Sequence, residues 1–163
     1  MKMLLHTCCA PCSIQCVEVL RDEGIEPVAF WFNPNIHPFT EYKNRKLALV
    51  DYAKRIDMEL ILQDEYGLRP FIKGVFSDLD HRCAFCYNIR MEAAAAYAAQ
   101  NGFESFSTTL LISPYQKHDM IRCAGEHAAE KHGVAFVYRD FRPWFRAGQR
   151  QAREIGQIGR AHV

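Results

Sequence analysis

The stretch Leu4-Leu5-His6-Thr7-Cys8-Cys9-Ala10-Pro11-Cys12 decides the fold: a short apolar run ends in two adjacent cysteines, with a third three residues later. A strand too apolar to face water, followed by a turn lined with thiols, puts soft ligands at the carboxyl edge of a buried sheet, where open α/β folds bind their ligands. A lone buried cysteine behaves as a small hydrophobe. Adjacent side chains on extended backbone point to opposite faces, however, so a packed core gains nothing from the Cys8-Cys9 pair. Pyrophosphate sites after a first strand use glycine- and serine-rich loops, because only small residues let backbone amides approach phosphate. Cysteines and Pro11 stand in that loop here, which argues against nucleotide hydrolysis at it.

Outward from this turn, strand and helix patterns alternate. Residues 12–21 carry Ile14, Val17 and Leu20 at helical spacing and stop at Gly24. Residues 27–32 form a second apolar strand, closed by Asn33-Pro34-Asn35. Thr40 is placed to cap a long amphipathic helix with Leu47, Val50, Ala53 and Ile56 inward. Residues 58–62 read as a third strand at or near the sheet edge, 69–75 as a short helix and 77–82 as a polar link. The alanine-rich run 87–100 is a strong helix with Cys83 and Cys86 at its start, where the spacing puts both on one face and the helix dipole favours thiolate. A strand over 103–112, a helix over 118–131, a strand over 134–138 and a basic helix over 145–155 complete the chain. This pattern predicts a doubly wound, five-stranded parallel α/β sheet with helices on both faces, in the order 3-2-1-4-5. Cys8, Cys9 and residues 109–116 would then share the crevice between the first and fourth strands.

Composition agrees with one domain: 163 residues, 49% hydrophobic and 24% charged. No apolar run approaches the roughly 20 residues of a membrane span, and Met1-Lys2-Met3 enters the first strand directly instead of a signal peptide, so the expected setting is cytoplasmic. Seven cysteines, clustered and odd in number, read as metal ligands or redox centres before structural disulfides. Cys16 and Cys123, at mid-helix positions, read as packing residues. The net charge of +1 says little about partners, but residues 139–153 hold five arginines against the single acid Asp140. Phe141, Trp144 and Phe145 interleave with them, a combination suited to phosphates and unstacked bases.

If the two cysteine pairs meet at one sheet edge, a four-thiolate site follows. Thiolate ligands suit structural zinc and iron–sulfur clusters alike. Placement of the thiols where substrate binds, in a chain with a full core, leans toward iron and sulfur. A thioredoxin-type dithiol at Cys9-Ala10-Pro11-Cys12 is the third reading, disfavoured by Cys8 and by the distant pair.

Four separated motifs, residues 5–12, Phe32-Asn33-Pro34-Asn35-Ile36-His37-Pro38, Arg82-Cys83-Ala84-Phe85-Cys86-Tyr87 and residues 108–116, together resemble the cobalamin-independent epoxyqueuosine reductases of the QueH type. The resemblance implies an adenine nucleotide alpha-hydrolase-like (HUP-like) fold. It also implies reduction of the epoxide on the modified guanine at the tRNA wobble position to an alkene, with loss of oxygen as water. By motif, Cys8, Cys9, Cys83 and Cys86 would hold a 4Fe-4S cluster, and Cys12, with Asp64 as carboxylate partner, a second mononuclear metal ion. Cys12 and Tyr115 are the candidate catalytic residues, with His6 and His37 as further possible proton donors; Arg142, Arg146 and Arg150 are the candidate tRNA contacts. Implied partners are tRNA carrying epoxyqueuosine and an electron donor, with the protein a monomer away from membranes. A thiol-disulfide oxidoreductase using Cys9 and Cys12 and a zinc-stabilised RNA-binding module are the competing functions. Family members continue to a C-terminal Cys-Gly-Cys that this sequence lacks. Residues 157–163 match what a common sequencing adapter would encode and are expected to be a non-native tail, which leaves 1–156 as one domain.

Overall fold

The computed structural model describes residues 2–66 and 82–154, without the side chains of residues 82 and 83. The helix expected at 69–75, nearly all of the link at 77–82 and the tail at 157–163 lie outside the described residues. In chain order the elements are β1 (Lys2–His6), α1 (Ala10–Asp22), β2 (Glu26–Trp31), α2 (Phe39–Arg55), β3 (Leu60–Leu62), α3 (Arg82–Gln100), β4 (Ser105–Thr108), α4 (His118–His132), β5 (Ala135–Phe136) and α5 (Phe145–Glu154). Short 3-10 turns, Thr109–Ile112 and Arg142–Trp144, follow β4 and precede α5.

The sheet runs β3-β2-β1-β4-β5, the predicted order, and every pairing is parallel. The reason lies in β1 and β2. Met3, Leu4 and Leu5 on one, and Val28, Ala29, Phe30 and Trp31 on the other, are nearly free of solvent contact, as strands covered on both faces must be. Helices α1, α2 and α5 pack together on one face and α3 with α4 on the other. Ile14, Val17 and Leu20 of α1 are buried as predicted.

Three local expectations are corrected. The strand at 103–112 is only Ser105–Thr108, because the Thr108 side chain accepts the Leu110 N–H and bends the chain into a 3-10 turn. In α2 the buried residues are Tyr42, Leu49, Tyr52 and Ala53, while Leu47 is 51% exposed, and Thr40 lies inside the helix, whose N-cap is Pro38. The tyrosines displace the aliphatic stripe because the Tyr42 ring packs edge-on against Trp31 and its hydroxyl accepts the indole N–H at 3.1 Å. Cys123 is exposed, whereas Cys16 is fully buried as expected.

Helix α4 approaches β5 so closely that a Cβ at Gly125 would lie 2.6 Å from the Phe136 ring, itself packed on Phe106. Gly125→Val should therefore lose about 1–3 kcal/mol in urea denaturation, and a second change, Phe136→Leu, should recover part of that loss.

Candidate metal centre

The site begins at the carboxyl ends of β2, β1 and β4, which one side chain joins. His6 closes β1, pairs in register with Phe30 and Thr108, and has no exposed surface. Its Nε2 faces two acceptors, Phe32 O at 3.2 Å and Asn33 Oδ1 at 3.1 Å, so that nitrogen carries the proton. Nδ1 then accepts from the Thr108 hydroxyl at 2.9 Å, whose own oxygen takes the Leu110 N–H. Asn33 is oriented by donating Nδ2–H to Thr7 O at 3.0 Å. Burial, reinforced by the Arg90 charge, lowers the His6 pKa to about 4. His6 is thus a neutral pin with both nitrogens engaged in the core, not the proton donor that its place in the motif suggested.

Beyond the pin the chain turns into α1. Cys9 is the N-cap in extended geometry, and Ala10 and Pro11 begin the helix. Cys8, Cys9 and Cys12 bring their sulfurs within 4.8 Å of one another, with Cys8 Sγ 3.9 Å from Cys9 Sγ. Cys9 and Cys12 are buried and Cys8 is half-buried. Hydrogen bonds from the Cys12 and Cys9 thiols, opposed by burial and helped by the Thr109 hydroxyl, hold Cys8 well below the ordinary thiol range. Cys9, despite its bond from Cys12, is pushed up by its bond to Cys8 and by burial; Cys12 is pushed up by its bonds to Cys8 and Cys9 and by burial. A lowered Cys8 thiol flanked by two raised ones at a helix N-terminus makes a donor set suited to a cation of soft character.

The remaining site residues are distributed around this group. Among the described residues the converging set is Cys8, Cys9 and Cys12; Cys86, half-buried in the first turns of α3, is not a member, and the Cys83 side chain lies outside the described residues. The start of α3 is nevertheless tied to the exit of β4. Tyr87 donates to Gln116 Oε1 at 2.6 Å and accepts the Lys117 N–H at 3.2 Å. Asp64 accepts from Tyr42 at 2.7 Å and Lys46 at 2.6 Å, and its pKa is lowered by those two partners in reverse order, Lys46 first. His37 packs edge-on against Tyr66. Tyr115 is 71% exposed and meets the Phe145 ring edge-on at 5.8 Å. Arg142 forms a two-pronged ion pair with Asp140, while Arg146 and Arg150 are exposed on α5. That helix lies beside the cysteine turn, since a Cβ at Gly148 would sit 3.3 Å from Gln15 and 3.7 Å from Pro11 O.

Two residues carry more of the site than their sequence context announced. Arg90 is only 5% exposed, donates Nε–H to Cys86 O at 3.0 Å and stands over the Tyr87 ring. Its signal was the four-residue spacing from Cys86 on one helix face. Thr109 contacts both the amide and the sulfur of Cys8, and its only sequence signal was its place in the motif at 108–116.

These features define a class: a doubly wound α/β protein that carries a buried thiol group at the switch point where related sheets bind nucleotide. The fold resembles the crystal structure of a predicted subunit of a tRNA methyltransferase from Methanocaldococcus jannaschii, with a TM-score of 0.56 and 13% identity over 93% of this chain and 75% of that one. Within that class the chain belongs to the epoxyqueuosine reductase QueH family, whose model matches residues 3–158. It is 40% identical over 141 residues to the QueH reductase of Dehalococcoides mccartyi, covering 86% of this chain and 78% of that one. It is 37% identical to the Histophilus somni protein, of which it covers 63%, and 34% identical to the Thermotoga maritima protein, of which it covers 83%. The relatives are named as oxidoreductases, and among the described residues no helix is long and apolar enough to cross a membrane.

If His6 is the pin, His6→Ala should lower stability by about 2–4 kcal/mol, since it leaves a cavity and strands the partners of both ring nitrogens. Cys123→Ala, on an exposed position, should stay within about 0.5 kcal/mol of the parent in the same denaturation assay.

Proposed function

We propose that this chain is an epoxyqueuosine reductase: it takes tRNA bearing epoxyqueuosine at the wobble position and returns the alkene and water, using two electrons and two protons. The observation that carries this reading is the convergence of Cys8, Cys9 and Cys12 at the switch-point crevice of a chain in the QueH family. Cys8, Cys9, Cys83 and Cys86 hold a 4Fe-4S cluster in this reading. The fit rests on the donor chemistry: partly buried thiols, one of them readily ionised, at the amino ends of two helices. When bound, such a group supplies single electrons and a Lewis acid for the departing oxygen.

The chain's own residues supply position and exclusion of water. The His6 clamp holds the turn that carries the cysteines, and the buried Arg90 cation helps keep His6 neutral. Cys12, third member of the sulfur group, serves a second mononuclear metal ion or the substrate. Asp64 joins that ion only by exchanging its Lys46 partner. Tyr115, paired with Phe145, offers an exposed ring to the nucleotide, and Arg142, Arg146 and Arg150 meet the phosphates of the loop. A cytoplasmic monomer served by a separate electron donor completes the reading, because tRNA is the substrate.

Anaerobic reconstitution should load about four iron and four sulfide per chain. Alanine at Cys8, Cys9, Cys83 or Cys86 should abolish the visible absorbance that alanine at Cys16 or Cys123 leaves intact. The reading is then tested directly by mass spectrometry of an epoxyqueuosine anticodon stem-loop after single turnover with a chemical reductant. Insulin reduction without iron would instead identify a dithiol enzyme, and tight RNA binding with one zinc and no redox activity an RNA-binding module.

Binding of that stem-loop should weaken with salt, and Arg146→Ala with Arg150→Ala should flatten the salt slope by about two. Tyr115→Ala should weaken binding about tenfold at every salt concentration, while Tyr115→Phe should bind like the parent, since stacking uses the ring.

A further inference from the structure

Thr109 opens the 3-10 turn after β4 and has no exposed surface. Its Oγ1 lies 3.3 Å from the backbone nitrogen of Cys8 and 3.5 Å from Cys8 Sγ. The amide has a proton and no lone pair to offer, so Oγ1 accepts there. The single hydroxyl proton is then left for the sulfur, the one remaining hydrogen-bond partner of Oγ1 among the described residues. A sulfur that ligates a metal is a thiolate with no proton to give, so in that state the hydroxyl is the donor. The neighbouring residue is committed elsewhere: Thr108 gives its hydroxyl proton to His6 and takes the Leu110 N–H. Two adjacent threonines therefore split the work, one holding the strands together and the other reaching the first cysteine.

We propose that Thr109 is a positioning residue that raises the reduction potential of the metal centre by donating a hydrogen bond to the Cys8 sulfur. A donor on a ligand sulfur draws electron density away from the metal and favours the more negative, reduced state. Burial of Thr109 strengthens the effect, since no water competes for its hydroxyl. The same oxygen holds the Cys8 amide, so the donor cannot drift from its acceptor: the turn that delivers the cysteine also delivers its hydrogen bond. This inference rests on the proposal that Cys8 ligates a metal.

The test compares anaerobically reconstituted parent protein with Thr109→Val, which keeps the shape and removes the hydroxyl, and Thr109→Ser, which keeps the hydroxyl. The readout is the midpoint potential, from redox titration followed by visible absorbance and electron paramagnetic resonance, with iron content measured on each sample. Thr109→Val should shift the midpoint to more negative values, so that the reduced-to-oxidised ratio at a fixed poise falls about threefold or more, as expected for loss of a single hydrogen bond. Thr109→Ser should titrate with the parent. Equal midpoints in parent and Thr109→Val at equal iron content would overturn the inference. Should Thr109→Val fail to fold, the parent and Thr109→Ser decide it: their iron–sulfur stretching bands in resonance Raman spectra should move on transfer to D2O, and bands that stay put would overturn it. A parent protein that binds no iron through Cys8 would overturn the metal reading itself, and the iron analysis reports that before any potential is measured.

Discussion

The hydrogen bonds of His6 are the constraint on which the rest of the site depends. A parallel sheet holds its strands by slanted backbone bonds that end where the strands end, and ligand-bearing turns leave from those ends. Here the histidine at the last position of β1 reaches Thr108 at the end of β4 on one side and Phe32 with Asn33, just past β2, on the other. Three strand exits are thus locked in one plane by a side chain with a fixed tautomer. In a water-free interior such a network stabilises only when every member is satisfied, and this one is closed at both ends by backbone groups, Leu110 N and Thr7 O. The turn at Cys8 starts from that anchored edge.

Charge is arranged around the turn in layers. The amino end of α1 favours negative sulfur, with no acidic residue in its first turn to oppose it. Arg90, buried on α3 one helical turn from Cys86, adds a positive charge whose effect falls on His6. Outside these, α5 leans on α1 through Gln151, which bonds Gln15 and Glu18, and through the close approach at Gly148. The basic helix is therefore a neighbour of the cysteine turn, and the edge-on pair of Tyr115 and Phe145 connects it to the exit of β4. The cysteine turn and the basic helix meet over one sheet edge.

Much of this was legible in the chain, and what was not has identifiable causes. Continuous apolar runs mark the strands and the intervening helical spacing implies parallel crossovers, which is the pattern of a doubly wound sheet and carries its strand order. Aliphatic periodicity alone does not mark the inward face of α2, where two tyrosines are buried. Tyr42 is inside because Trp31 and Asp64 both bond its hydroxyl, partners that lie far away in sequence. The apolar character of residues 109–112 suits a strand, but the Leu110 amide donates to the Thr108 side chain, and that bond competes with the sheet ladder and wins. A mid-helix position does not by itself bury a cysteine, and Cys123 lies on the solvent side of α4.

The sequence by itself determined the class of fold and where its first thiol group lies on the sheet, since hydrophobic period and cysteine spacing are local properties written directly in the chain. Its motifs also carried the family, which the comparisons with known proteins confirm. Only the tertiary structure decided which polar residues act on the cysteines. His6, Thr108, Thr109 and Asn33 are ordinary residues until β1, β2 and β4 are set side by side, when contacts spanning 26 to 102 residues arise. The physical reason is that a hydrogen bond depends on distance and direction in space, and chain order constrains those for near neighbours alone.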